Sequence, residues 1–441
     1  MSRERLIIPS ARRLMHSLRN LGYDLPAAVA DLVDNSLDAG ATAVNIDLDA
    51  EWRGSYLRVV DNGTGMTEGR LEEAMRYGSA RHYGAEDLGH FGLGLKTASL
   101  SQCRRLTVAS RTTEVGRIRI RRWDLDRIDE SDAWVLERPR ILDCRPQLAD
   151  PLRDRIGTVV LWEKLDRVLG MRRPDGEAAQ RKLRIVENDL RLHLGMIFHR
   201  FLAGESGRPR LELTLNGIAV EAWDPFCRDE PMTEALPVQR VGVDGGDRVV
   251  VRPFILPSQH HFSSQEAHAE ASGPNRWNRQ QGFYIYRRDR LIQSGGWCRL
   301  RTMDEHSKLA RVAVDLPSSA EESFRINVAK MMVGLPESLR PELRVIATGI
   351  VSRAQDAYRR PARAVPDQPD IDTATVGEGG TLGDHWPAIV EILERELGDQ
   401  PQLLDRILLA LINTRSSSIP KDGAVVAISS SDAVPTLRST A

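Results

Sequence analysis

Cysteine is scarce and scattered. The four residues Cys103, Cys144, Cys227 and Cys298 form no Cys-x-x-Cys pair. Neither a structural zinc site nor a disulfide framework is therefore expected, and reduced, mostly buried thiols are the reading. No His-Glu-x-x-His occurs among the ten histidines. His260, His261 and His268 fall in a polar stretch, 257–281, that reads as a loop without metal-ligand spacing. Aromatic residues make up only 5% of the chain, so its cores must be mainly aliphatic. Charge of one sign is also missing. Lys and Arg (61) nearly balance Asp and Glu (62), leaving a formal charge of −1 and no global footprint for nucleic acid. No apolar run reaches the roughly 18 residues of a membrane span. The opening Met1-Ser2-Arg3-Glu4-Arg5 lacks a signal-peptide pattern. These absences lead to the expectation of a cytoplasmic protein with no membrane partner.

What is present fits a folded chain. Hydrophobic residues are 41% and charged residues 28% of 441 positions. At about 150 residues per domain, this suggests three domains, or two and a tail. Leu14, Leu18 and Leu21 carry a helical period, and a second helix runs from about Pro26 to Ala39, where Gly40 stops it. Alternation marks a strand at Val44–Leu48, and the short run Leu57–Val60 reads as another. Residues 67–77 read as helix, and 78–94 are Gly-rich. A helix begins near Lys96, followed by strands at 105–111, 115–122 and 157–162. This mixture is an α+β pattern. A second region starts near 170. It has a helix over 177–202, strands at 210–215, 248–256, 282–287 and 310–315, and a closing helix at 337–358. Residues 361–385 are rich in Pro, Asp, Gly and Thr and read as a linker. Short helices are expected at 386–398 and 401–413, followed by a poorly ordered tail from Arg415.

Three segments carry chemistry. In Asp31-Leu-Val-Asp34-Asn35-Ser36-Leu-Asp38, the residues Asp31, Asn35 and Asp38 share one helix face. An amide oxygen on Asn35 suits Mg²⁺ alongside substrate phosphates, and Asp31 can orient and deprotonate a water. Alone, the segment also reads as a solvated polar face. In Asp61-Asn62-Gly63-Thr64-Gly65-Met66, a carboxylate sits at a strand mouth beside backbone too small to block a ligand. An ordinary Asp-Asn-Gly turn is the competing reading. In Gly89-His-Phe91-Gly92-Leu93-Gly94-Leu95-Lys96-Thr97, glycines free backbone N–H groups for phosphate, with a helix N-terminus and Lys96 behind them. Leu95 intervenes where a P-loop needs Gly-Lys, so this is not a P-loop.

Taken together and in this order, the three segments resemble the nucleotide-binding boxes of the GHKL superfamily, which includes gyrase B, a heat-shock chaperone, sensor histidine kinases, MutL and the MORC proteins. Gly157-Thr158 supplies a fourth matching element. The resemblance is closest to prokaryotic MORC-like or MutL-like proteins. It implies a Bergerat-fold two-layer sandwich over about 10–170, with ATP and Mg²⁺ as cofactors. Asn35 would ligate the metal, Asp61 would read the adenine amino group, and Gly63, Gly65 and Met66 would shape the base pocket. Residues 78–95 would form a lid, with Gly89, Phe91, Gly92, Leu93, Gly94, Leu95, Lys96 and Thr97 around the phosphates. Thr158 would join the adenine network, and Asp38 belongs to the same set. Asp31 stands where the gyrase, MutL and MORC branches usually have Glu. It is one methylene shorter, so a water it held would lie nearer the helix. Asp34 points about 100° per residue further round and is the poorer base.

The second region, with Gln281-Gly-Phe-Tyr-Ile-Tyr-Arg287 and Arg290-Leu-Ile292, resembles the transducer domain of these proteins, a ribosomal-protein-like β-α-β unit. There Lys330, after Asn327, would reach the γ-phosphate, with Lys308 as the competitor. The domain reading is ATP-binding over 1–170, transducer over 171–360, linker over 361–385, a helical segment over 386–414 and a tail over 415–441. The functional expectation is a slow ATPase switch closing as an ATP-driven homodimer clamp. DNA, and a nuclease, helicase or other defence subunit, would be its partners in a restriction or phage-defence assembly. Arg117–Arg122 and Arg181–Arg184 are the candidate phosphate contacts. A protein-remodelling chaperone, or a nucleotide-gated module with little turnover, are the alternatives.

Overall fold

The computed structural model describes residues 9–20, 23–51, 54–77, 94–113, 116–168, 176–243, 248–317, 324 and 333–360. The glycine-rich stretch up to Leu93, Lys330, and the expected linker, helical segment and tail all lie outside the described residues.

The chain opens with α1 (Ala11–Arg19) and α2 (Leu25–Asp38). The Ser10 and Asp24 side chains accept hydrogen bonds from Arg13 N and Ala27 N, so each helix starts on a side-chain cap. Gly40, at φ +73°, ends the second turnabout and lets Ala41 N reach Ser36 O at 3.0 Å. Next come β1 (Ala43–Glu51), β2 (Gly54–Asp61), α3 (Glu68–Met75), α4 (Gly94–Gln102), β3 (Arg105–Arg111) and β4 (Arg119–Asp124). They are followed by α5 (Leu125–Ser131), α6 (Pro146–Ala149), β5 (Gly157–Glu163), α7 (Glu177–Ile197), α8 (His199–Leu202), β6 (Glu212–Leu215) and β7 (Ile218–Ala219).

These strands make a seven-stranded sheet in the order β4-β3-β5-β2-β1-β6-β7. Every pairing is antiparallel except β1 with β6, which is parallel. Period-two alternation divides its side chains. Leu57, Val59, Leu106, Val108, Val160 and Trp162 face the core under the helices, while Ala109, Val159 and Leu161 face a smaller cluster with Leu148 and Leu152. The expected boundary at 170/171 does not coincide with a change of sheet. Strands β6 and β7, placed with the second region by sequence, complete the first sheet.

The second sheet uses β8 (Glu234–Ala235), β9 (Gln239–Gly242) and β10 (Arg248–Ile255). After α9 (Gln265–Ala271) and α10 (Arg276–Gln280), it adds β11 (Gly282–Arg287), β12 (Arg290–Ser294) and β13 (Ala310–Leu316), and α11 (Arg340–Arg359) follows. The order is β12-β11-β13-β10-β8, with β9 also on β10. The stretch 257–281, expected as loop, contains α9 and α10. Ser264 caps α9 by accepting from Ala267 N, and Arg311 donates to Ala271 O at its end. One face of this sheet packs under α11 through Val312, Val314, Leu343 and Ile350. On the other, Tyr284, Tyr286 and Leu291 join the core of the first sheet. Among the described residues no helix is long and apolar enough to cross a membrane.

Candidate functional site

Strand β2 ends on Asp61, which is 9% exposed. Its carboxylate accepts from Gly63 N (2.9 Å), Thr158 N (3.2 Å) and Ser36 Oγ (3.3 Å). Burial pushes this carboxyl up to about 6, and the bonds from Gly63, Ser36 and Thr158 offset only part of that rise. The surrounding backbone is tightly apposed. A Cβ on Gly65, at φ +66°, would stand 2.1 Å from Arg111 O, and one on Gly157 would stand 2.0 Å from Asp61 O. On Gly63 it would meet Ala39 Cβ at 2.8 Å. Ser110 ties the mouth together. Its hydroxyl bonds Thr158 Oγ1 (3.0 Å) and Gly157 O (3.1 Å), and receives Met66 N (2.8 Å).

Helix α2 brings its acidic face to the same end of the sheet. Asp31 is 3% exposed, and Tyr23 OH donates to its Oδ2 at 2.9 Å. Desolvation, followed by the negative charge of Asp31, pushes the Tyr23 phenol far above its usual range, so it stays a donor. Asn35 is exposed one turn on, with its amide available to solvent. Asp38 lies 4.0 Å from Arg208 Nη1. The start of α4 closes on this face. The Cβ direction of Gly94 points to Asp31 Oδ2 at 3.4 Å, so a larger residue there would crowd the carboxylate. Thr97 is buried, and its Oγ1 has no hydrogen-bond partner among the described residues. Leu95 packs on the core.

Sequence and structure diverge at Lys96. Expected at the phosphates, its side chain is instead 2% exposed and donates to Ala74 O at 3.0 Å, beside the Tyr77 ring. Burial brings its ammonium down to about 8. Helical phase explains the placement, because Lys96 lies on the side of α4 that packs against α3. Within the basic run Arg117–Arg122, Arg121 and Arg122 are engaged internally, while Arg117 is exposed. Arg121 pairs with Glu68 and Glu72 at 2.6 Å, and Arg122 bonds Thr107 Oγ1 at 3.0 Å. Arg181 and Arg184 on α7 are exposed. Lys308 pairs with Glu305 and sits over the Tyr358 ring.

Three partners escaped sequence reading: Tyr23 on Asp31, Ser36 on Asp61, and Ser110 on Thr158. Ser36 lies inside the motif that drew attention to Asn35, whereas Tyr23 and Ser110 carry no local signal. The donor set suits an adenine nucleotide with Mg²⁺. Among the described residues, a buried carboxylate without a cation faces the mouth, a hard amide oxygen lies exposed beside Asp31, and a buried hydroxyl has no partner.

Comparison with known proteins covers the segment that carries these residues. Residues 23–158 match the family described as histidine kinase-, DNA gyrase B-, and HSP90-like ATPase. Over 95 residues the chain is 44% identical to the DNA mismatch repair protein MutL of Shewanella amazonensis, covering 20% of this chain and 14% of that protein. It is 41% identical over 95 residues to the MutL proteins of Shewanella denitrificans and Shewanella frigidimarina, covering 14% and 15% of them. The chain thus aligns with about a seventh of the length of these curated relatives. The matched segment is a GHKL ATPase domain, MutL-like in sequence and α+β in architecture.

Proposed function

We propose that this chain binds Mg·ATP and hydrolyses it to ADP and phosphate, acting as an ATP-driven switch. The observation that carries the reading is Asp61, a buried carboxylate raised to about 6 whose donors among the described residues include no cation. An exocyclic amine of adenine donates where a further proton would otherwise be taken up, and this selects adenine over a base carrying a carbonyl at that position. Gly63, Gly65 and Met66 line the base, with Thr158 positioned through Ser110. Asn35 would hold Mg²⁺, which when bound supplies charge neutralisation across the phosphate oxygens. Asp31 orients the attacking water and takes its proton as the bond from the γ-phosphorus to the bridging oxygen breaks. Tyr23 fixes the rotamer of the shorter Asp side chain by its bond to Oδ2.

Residues 78–95 would close over the phosphates, Lys330 would report the γ-phosphate to the second sheet, and two copies would associate in the ATP state. ATP must then bind the closed dimer better than the open monomer. We further propose a DNA-associated role in a restriction or phage-defence assembly, with Arg181 and Arg184 as its candidate phosphate contacts. The 44% identity to a mismatch repair protein supports DNA over a protein client.

Steady-state ATP hydrolysis by the purified chain tests the reading, measured beside Asp31→Asn and Asn35→Ala, with and without duplex DNA. Both substitutions should reduce turnover about 100-fold or more. DNA should stimulate the wild type in a salt-dependent manner. Tight Mg·ATP binding with no turnover under either condition would leave a nucleotide-gated interaction module.

A further inference from the structure

The β11–β12 hairpin turns through two non-glycine residues with positive φ, Arg288 at 50° and Asp289 at 65°. Such a turn favours Gly or Asn, so neighbouring contacts have to hold it. On one side Arg200 of α8 donates to Asp289 Oδ1 at 3.1 Å, pairs with Asp315, and stacks 3.6 Å from the centre of the Tyr286 ring. On the other side Arg290, first residue of β12, leaves the second sheet and enters α2. Its Nε donates to Asp34 Oδ1 at 3.3 Å, with the two side chains 3% and 1% exposed. Asp34 adjoins Asn35 and lies one turn from Asp31. Arg290 and Asp34 also act electrostatically on Tyr23, the phenol bonded to Asp31. Beside this contact lies a cavity of about 460 Å³, bounded by Pro26, Ala27, His193, Met196, Ile292 and Arg290. The hairpin therefore meets α2 through a buried ion pair next to unfilled space. An apolar seam can slip in small steps. Parting a buried ion pair costs more than sliding an apolar seam, so the pair transmits movement.

We propose that Arg290 is a positioning residue for the reaction. Through Asp34 it sets the placement of α2, and with it Asp31 and Asn35, so that the second sheet controls turnover. This rests on the ATPase reading above. It differs from sensing at Lys330 because it acts on the catalytic helix rather than on the phosphates.

The test compares wild type with Arg290→Gln, Asp34→Asn, the double variant and Arg290→Lys. The measurements are kcat, KM for ATP, the Kd of a non-hydrolysable ATP analogue, and hydrogen–deuterium exchange over Leu25–Asp38. The double variant removes both charges and stays readable where a single substitution unfolds the chain. Each single variant should lose about tenfold in kcat with KM and analogue Kd within about threefold. Arg290→Lys should recover to within about threefold, and the double should be no worse than the poorer single. Exchange over α2 should rise in Arg290→Gln. Unchanged kcat in the single variants, or analogue binding lost in step with kcat, overturns the proposal. If the wild type neither binds nor hydrolyses ATP, the ATPase reading fails separately, and exchange alone decides the coupling. Raised exchange over α2 in Arg290→Gln supports it, and unchanged exchange overturns it.

Discussion

The two sheets bury charge in opposite ways. At the mouth of the first, Asp61 is out of solvent and is held by two backbone N–H groups and one hydroxyl, with no cation among its described partners. In the second, Arg311 is fully buried between the Trp223 and Trp277 rings, at 5.4 and 5.3 Å, and donates to the carbonyls of Pro225 and Ala271 at 2.6 Å. The buried carboxylate has three neutral donors, whereas the buried guanidinium has two carbonyl acceptors and two aromatic faces, with its Nε unpaired among the described residues. An under-compensated group lowers stability until a ligand arrives, and that marks a binding site. A group whose bonds run to the carbonyls of Pro225 and Ala271 ties a strand to two neighbouring segments, and that marks scaffold.

Four substitutions test this contrast, in falling order of effect. Gly65→Ala places a Cβ 2.1 Å from Arg111 O at φ +66°. It should cost about 4 kcal/mol or prevent folding, read by urea denaturation. A cost below about 1 kcal/mol would show that the mouth yields, contrary to a rigid site. Arg311→Met strands the carbonyls of Pro225 and Ala271. It should destabilise by about 3 kcal/mol yet leave nucleotide affinity unchanged, which calorimetry can check.

Asp61→Asn should do the reverse. ATP affinity should fall by about 2 kcal/mol while the nucleotide-free protein gains stability of the same order. The pH dependence carries the sign. The native carboxyl is raised to about 6 from an ordinary 3.8, so the folded state binds more protons between those values. The stabilisation from this group is full below about pH 4 and is lost as pH rises through 6. The advantage of Asn over Asp should therefore be absent below pH 4 and full above pH 6. A uniform difference across that range would mean Asp61 is not the titrating group. The smallest effect belongs to Lys96→Met. With Lys96 seated on Ala74 O, stability should change by about 1 kcal/mol and nucleotide affinity by less than about threefold. A tenfold loss of affinity would show that the ammonium swings to the phosphates on binding.

Much of this was readable in the sequence because its causes are local. Alternation marked β1, and the short apolar runs at 57–60 and 157–162 marked β2 and β5. Gly40 marked the end of α2, and the Asp61-Asn62-Gly63 turn marked the strand mouth. For Lys96, its neighbours in sequence suggest a phosphate site, whereas packing of α4 on α3 seats its ammonium on Ala74 O. Residues 257–281 looked like loop because polar residues dominate there, yet a Ser264 cap and the carbonyl contact from Arg311 stabilise α9. The Asp34–Arg290 pair spans 256 positions, and no local periodicity encodes it. Nor does any signal in Leu211–Leu215 say which sheet that strand will enter.

That last pairing bears on how the site can be inherited. Strand β6 lies parallel to β1, from Ala43↔Glu212 to Ile46↔Leu215, after the chain has passed through α7 and α8. A gene fragment ending at 170 would code for a nucleotide site whose β1 has a bare edge, and such edges recruit other chains. The smallest transferable cassette runs past Val220 and carries with it α7, with its exposed arginines. The structural unit of the first sheet therefore includes α7 as well as β6.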